Sequence, residues 1–201
     1  HPGAKRGGQQ ITGKAGAHMS HFERTLSRET VYGGRVFTVT RDQVELENGQ
    51  TSVREIVHHH GGACVAALTG QDEVYLVRQF RYAFGEELWE LPAGKLEPGE
   101  DPFEAAQREL GEECGLIARR YTDLGAFYPT VGYCSEVIYT WLATDLSPCA
   151  MHLDEDEFLT PEKVPFETAV DMVFTGEIKD GKTIAALLKI KTLREREKAA
   201  E

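Results

Sequence analysis

The chain has 201 residues, 41% hydrophobic and 27% charged, with a formal net charge of −11. That gives room for one sizeable domain, no apolar run of membrane-spanning length, and a charge that repels a nucleic-acid backbone. Four cysteines without a C-x-x-C pair, on a chain without a secretion signal, point to reduced thiols in a cytoplasmic protein.

Residues 1–20, "HPGAKRGGQQITGKAGAHMS", are Gly-rich with three basic residues and no acid. They read as an appended or disordered leader, with His18-Met19-Ser20 as the scar before the natural start. Without its three positive charges the remainder carries −14. An anionic ligand would then need metal ions or a few well-placed arginines to offset the field.

From Val31 to Val57 come three β-prone runs, "VYGGRVFTVT", "QVELE" and "TSVREIV". Asn48-Gly49 between the last two predicts a two-residue hairpin. We expect an N-terminal β-meander over 21–60, too small to stand alone and therefore packed on the next unit or a second subunit. The run His58-His59-His60 follows a strand, where neighbouring side chains alternate faces, so at most two could share a metal. With no cysteine or further histidine at ligand spacing, it reads as a surface run.

"ACVAAL" and "EVYLVRQFRY" are the next strands, separated by a turn at Thr69-Gly70-Gln71-Asp72. "ELWELPAGKL" is broken by Pro-Ala-Gly. A helix follows, with Asp101 as N-cap, Pro102 in the first turn, Glu104 completing a capping-box pattern and Gly115 as the stop. "RYTDLGAFYP" and "SEVIYTWLATDL" read as strands around a polar loop at Pro129 to Ser135. A second acidic loop follows at Leu153 to Phe158, then a helix over "PFETAVDMVFTG" and a longer one from about Thr183. Interleaved strands and helices around one core predict a mixed α/β (α+β) sandwich.

The helix and the loop before it hold the chemistry. Residues 94–115 crowd seven carboxylates into twenty-two positions. On a helix, Phe103, Ala106, Leu110 and Cys114 share one face, predicted to be buried. Glu109 and Glu113 stack one turn apart on an adjoining flank, Glu112 completes the cluster, and Arg108 is four before Glu112, at ion-pair spacing. An acidic helix is ordinarily a solvated face. Here an arginine sits inside the cluster and a glycine loop leads into it, so a cation between Glu109 and Glu113 would turn repulsion into attraction, and Mg²⁺ favours such oxygen ligands.

The spacing Gly94, Glu100, Arg108-Glu109-Leu110, Glu112-Glu113, Gly115-Leu116 resembles the Nudix box, G-x5-E-x7-R-E-U-x-E-E-x-G-U, at all nine defined positions. The resemblance implies a Nudix α/β/α sandwich over 61–201 and Mg²⁺-dependent (Mn²⁺ as an alternative) hydrolysis of a nucleoside diphosphate joined to another group. It implies Glu109, Glu113 and the Ala93 carbonyl as metal ligands, Glu112 supporting them, Arg108 orienting the glutamates, and Glu100 as a structural contact.

"VRQFRYAFGEELWELPAGKLEPGEDPFEAAQREL", the "LENG" turn and "GEIKDGKTIAALL" are similar to the ADP-ribose pyrophosphatase branch. That likeness implies ADP-ribose hydrolysis to AMP and ribose 5-phosphate, with Glu155 as general base and Glu157 as a further metal ligand. It implies Arg54 and Arg81 on the substrate, with Arg78 competing. Since 78 and 81 lie on opposite strand faces, only one can point inward. Tyr32 and Phe37 fit either an adenine platform or a core, and Glu136 falls where relatives contact substrate. "FYPTVGYCSEVIYTWLA" is similar to the branch's substrate loop, but many relatives have Ser-Pro-Gly where Thr130-Val131-Gly132 stands, with the proline here earlier, at Pro129.

The branch forms homodimers that exchange the meander. The alternatives are another nucleoside diphosphate sugar or a dinucleoside polyphosphate, or a sensor that binds ADP-ribose uncleaved. The intact box, acidic charge and lack of a spare segment for a DNA-binding helix pair disfavour the sensor.

Overall fold

β1 (Glu23–Gly33), β2 (Phe37–Leu46) and β3 (Thr51–His59) form an antiparallel sheet in that order. A computed structural model describes residues 21–153 and 158–200. The leader, Glu155 and Glu157 therefore lie outside the described residues.

The meander is cut differently from the expectation. β1 starts eight residues before Val31, "VYGGRVFTVT" straddles the first turn, and "QVELE" continues β2. Residues 23–30 are mostly polar and lack an apolar stripe, so hydrophobic pattern misses them. Cross-strand ion pairs are what align them: Arg24 Nη2 lies 2.6 Å from Glu45, and Arg28 Nη2 2.6 Å from Asp42. The second hairpin closes on three residues, Glu47-Asn48-Gly49, rather than two. Leu46 N–H donates to Gln50 O at 2.8 Å, Gly49 N–H to Leu46 O at 2.9 Å, and Gly49 has φ 80°.

The core is built on β4 (Gly62–Ala67). The remaining elements are β5 (Glu73–Arg81), β6 (Glu86–Glu90), β7 (Ala93–Lys95), α1 (Pro102–Cys114), β8 (Leu116–Phe127), β9 (Ile138–Pro148), β10 (Leu159–Pro165), α2 (Phe166–Thr175) and α3 (Gly181–Ala200). A mixed sheet runs β7-β4-β9-β8, with β4 parallel to β9, and a second sheet runs β10-β5-β6. Ala63, Val65 and Ala67 of β4 cluster with Ala105, Ala106 and Leu110 of α1. Cys64 and Ala66, one residue out of phase, cluster with Phe166 and Val170 of α2 and Leu187 and Ile190 of α3. Helices thus cover both faces of β4, as an α/β/α sandwich requires.

Three local expectations change. β10 is a strand that the sequence pattern does not predict, since it carries Pro161 and Pro165; it pairs only with β5, and an edge strand tolerates proline. The break in "ELWELPAGKL" is confined to Leu91-Pro92, where the chain leaves the β5 sheet and joins β4 through β7. α3 begins at Gly181, because Asp180 Oδ2 accepts from Thr183 N–H at 3.0 Å and caps it.

α1 has its predicted ends. Asp101 Oδ1 accepts from Phe103 N–H at 2.8 Å, and Gly115 closes the helix at φ 62°. Its buried face is rotated from the predicted one. Phe103 is 37% exposed and lies edge-on to Tyr121, whereas Glu109 and Glu113 are 6% and 2% exposed. The carboxylates sit inside the seam. No helix among the described residues is long and apolar enough to cross a membrane.

Candidate active site

The turn from β6 into β7 runs beside α1, and one glycine decides how close the two come. A Cβ on Gly94 would lie 1.9 Å from Glu109 Oε1. Next to it, Ala93 N–H donates to Glu113 Oε2 at 2.9 Å. β7 therefore fixes both buried carboxylates, one through a missing side chain and one through a backbone donor.

Arg108 fixes the rest. Its Nε and Nη2 donate to Glu100 at 2.8 and 3.0 Å, and its Nη1 to Glu109 at 2.7 Å and to Glu112 at 2.8 Å. Nη2 also reaches the Lys95 carbonyl at 3.2 Å. Glu100 in turn accepts from Glu97 N–H at 2.8 Å, which pins the loop to the helix. The Arg108 side-chain hydrogen bond holds Glu100 below the usual carboxylate range, and the Glu100 bond in return raises Arg108. The box residues are therefore brought together as expected, with Glu100 in the structural position.

Arg108, Glu109, Glu112 and Glu113 border a cleft of about 970 Å³ that also meets β3, β5, β6 and the start of α3. Arg81 lines it; Arg78 does not. Arg78 bonds Glu162 at 2.9 Å and lies over Trp89 on the other face, so the alternation argument selects Arg81.

A second charged network lines the same cleft, and sequence reasoning missed it. Arg81 Nε and Nη2 donate to the two oxygens of Glu90 at 2.6 and 2.7 Å. Lys182 Nζ bonds the same Glu90 Oε2 and lies 3.0 Å from Asp180 Oδ2. Glu90 is 2% and Lys182 8% exposed. Burial pushes Glu90 up, but Arg81 and Lys182 outweigh it and hold it ionised below its ordinary value. Burial likewise pushes Lys182 down, and Asp180 and Glu90 outweigh it and raise it. One sequence signal was available: Glu90 stands between the apolar pair Leu88-Trp89 and Leu91.

The other predicted contacts divide. Glu136 borders the cleft, with Oε1 3.5 Å from His59 Nδ1. His59 is not a surface residue, since its side chain is 12% exposed and lines the cleft, and His58 turns instead to Thr40 at 2.9 Å. Arg35, from the β1–β2 turn, lines the cleft without having been expected to. Arg54 and Tyr32 do not reach it. Arg54 pairs with Glu23 on the N-terminal sheet, and Tyr32 packs against Phe37 with ring centres 5.7 Å apart.

The donor set suits a hard divalent cation: carboxylates of Glu109, Glu112 and Glu113 and the backbone of Ala93 all border one cleft. Among the described residues no three metal-binding side chains already converge on one point. The same cleft offers the guanidinium of Arg81 and the ammonium of Lys182. The cleft thus pairs oxygen donors for a cation with cationic donors for an anion.

A family model described as the NUDIX domain matches residues 58–187, and one described as the nucleoside diphosphate sugar hydrolase N-terminal domain matches residues 23–57. An ADP-ribose pyrophosphatase of Bacillus subtilis is 40% identical over 167 residues, covering 82% of this chain and 90% of that protein. A methanol dehydrogenase activator of Bacillus methanolicus has the same identity and coverage. The crystal structure of an ADP compounds hydrolase superposes with a TM-score of 0.77 at 27% identity, covering 87% of this chain and 95% of that one. With the box assembled around Arg108 and the domain model spanning most of the chain, this protein belongs to the Nudix family and is a Nudix pyrophosphohydrolase.

Proposed function

We propose that the chain hydrolyses the diphosphate bond of ADP-ribose, giving AMP and ribose 5-phosphate. The observation that carries this reading is that Arg81 and the α1 carboxylates line one cleft. The names of the Bacillus subtilis relative and of the structural neighbour support an ADP-linked substrate. Nudix hydrolases work with a divalent metal; we take Mg²⁺ as the ion, with Mn²⁺ as its substitute.

In this reading Glu109, Glu113 and the Ala93 carbonyl hold the metal, Glu157 adds a ligand, and Glu112 supports the set. A bound divalent ion supplies charge neutralisation on the phosphate oxygens and a lowered pKa for a water it holds. Arg108 keeps Glu109 and Glu112 oriented, and Glu155 takes the proton from the attacking water. Arg81 presents its guanidinium to the diphosphate, for which an arginine fork is well matched. Glu136 accepts from donor groups of the substrate.

Arg54 and Tyr32 act, on this reading, from a second copy of the chain. Tyr32, Phe37 and Val53 are 54%, 39% and 45% exposed on the N-terminal sheet, an apolar surface that a homodimer would cover. Four free cysteines fit a cytoplasmic setting, and the acidic charge leaves no nucleic-acid or membrane partner in the proposal.

The test is a mass-spectrometric hydrolysis panel with Mg²⁺: ADP-ribose, ADP-glucose, GDP-mannose, UDP-glucose and diadenosine polyphosphates. Preferred cleavage of ADP-ribose is expected. Preferred cleavage of another member would move the reading to another nucleoside diphosphate sugar or a dinucleoside polyphosphate. Binding without cleavage would make the protein a sensor. Light scattering on the same sample tests the dimer.

A further inference from the structure

We propose that Lys182 is a positioning residue for Arg81: it fixes the Glu90 carboxylate so that Arg81 presents its unused donors to a diphosphate in the cleft. This rests on the reading that the cleft takes a nucleoside diphosphate compound, and it adds a residue to that site.

The arrangement is over-built for a structural ion pair. Arg81 reaches Glu90 through Nε and Nη2, so Nη1 takes no part in that fork. Glu90 Oε2 is shared between Arg81 Nη2 and Lys182 Nζ. A carboxylate held at both oxygens by one guanidinium can still rotate with it; a second cation on Oε2 removes that freedom. Lys182 is itself fixed. Its Nζ is 3.0 Å from Asp180 Oδ2, and the same oxygen accepts from Thr183 N–H at 3.0 Å and Thr183 Oγ1 at 2.6 Å. Thr183 Oγ1 in turn accepts from Leu91 N–H at 2.8 Å, one residue after Glu90. The α3 N-terminus is thus tied to the end of β6 at two adjacent positions, Glu90 and Leu91, the first of which holds Arg81.

Charge points the same way. Arg81 and Lys182 balance Glu90 and Asp180, and all four line the cleft. Without Lys182 the group would carry an excess negative charge on a wall that must face an anion. The Arg81 charge would also be spent on Glu90 alone. A buried ammonium is costly to desolvate, and its retention at the cleft wall fits a device for orientation rather than for stability.

The experiment is a double-mutant cycle on the full chain, read by calorimetric binding of ADP and by kcat and KM for ADP-ribose. Lys182→Met is expected to weaken ADP binding about tenfold and to raise KM more than it lowers kcat. In an Arg81→Ala background the same change should have little further effect, because a positioning residue acts through the residue it positions. Lys182→Gln, which keeps a neutral donor for Glu90, replaces the Met variant if that fails to fold; a smaller loss in the same direction, again absent in the Arg81→Ala background, is then expected. Native-like ADP affinity in the folded Lys182 variant would overturn the proposal. So would an equal loss in both backgrounds, or the absence of ADP binding by the unaltered chain. Intact ADP binding without ADP-ribose turnover would sink the proposed reaction and leave the cycle readable.

Discussion

Glu109 rests its carboxylate on the backbone of Gly94: a β-carbon there would meet Oε1 at 1.9 Å and Cδ at 2.2 Å. The first glycine of the box is therefore required by a close approach. The obstructing atoms are the end of a flexible side chain, so Gly94→Ala can fold by moving Glu109 aside. We expect a melting temperature near that of the unaltered protein, with metal affinity and turnover reduced about 10- to 100-fold. Native turnover in the alanine variant would show that the observed position of Glu109 is immaterial.

Arg108 joins three carboxylates and one carbonyl through a single planar group. Lysine keeps the charge but has no fork, so it cannot serve Glu100 and the two helix glutamates together. Arg108→Lys should lose about 1–3 kcal/mol of stability, and turnover should fall about 10- to 100-fold. Urea titration and steady-state kinetics check the two arms. A variant with unchanged kinetics would separate Arg108 from the orientation of Glu109 and Glu112.

Fixed spacing makes the box legible in the sequence. Asp101, Pro102 and Gly115 set the ends of α1, and the i, i+4 relation puts Glu109 over Glu113. The depth of those carboxylates is not legible, because the apolar stripe through Phe103 and Cys114 suggests a seam rotated away from them. Burial of Glu109 and Glu113 depends on the glycine and the backbone amide of β7, which helix periodicity cannot see. The Arg81–Glu90–Lys182 group is hidden for a similar reason. Glu90 and Lys182 are 92 residues apart and meet only when β6 and α3 pack. β1 and β10 are hard to see in the sequence because ion pairs and an edge position, rather than alternation or propensity, account for them.

Glu90 and Glu100 should give the fold an acid limit. Each has its folded-state pKa lowered, Glu90 by Arg81 and Lys182 against burial, Glu100 chiefly by its bond to Arg108. A lowered carboxylate contributes stability that is complete above its unfolded value, about 4.3, and lost as pH falls through the folded value. Stability attributable to these groups should stay level above roughly pH 5 and decline below roughly pH 4. Glu100→Gln should lower stability at neutral pH and flatten part of that decline. An acid limb of unchanged slope in the variant would remove Glu100 from the account.

The thiols should sort by burial. Desolvation pushes Cys64 and Cys114 up to about 12, whereas Cys149 is exposed. Reaction with iodoacetamide needs the thiolate, so native protein near neutral pH, far below that value, should label Cys149 and spare Cys64 and Cys114. Peptide mapping after denaturation should then find both spared thiols reactive. Native labelling of Cys64 would mean that β4 opens on the time scale of the assay.

Variants of Glu113 and Glu155 should separate metal binding from proton transfer. Glu113 is 2% exposed and accepts from Ala93 N–H at 2.9 Å, a bond that the amide oxygen of glutamine can keep. Glu113→Gln should therefore fold, yet lose the charge that draws a divalent cation to α1. Turnover is expected to fall by about 10²-fold or more, with Mg²⁺ binding weakened in parallel. Glu155 lies outside the described residues, and its assignment follows from the resemblance of its acidic loop to that of the ADP-ribose pyrophosphatase branch. Glu155→Gln should cut turnover about 10²- to 10⁴-fold while Mg²⁺ affinity, measured by calorimetry, stays within a factor of about two. If both variants lose metal and rate together, the acidic loop is part of the metal site and the base must be sought elsewhere. If Glu155→Gln keeps its rate, proton removal falls to another group that reaches the cleft, and the pH–rate profile of that variant identifies it by the pKa that remains.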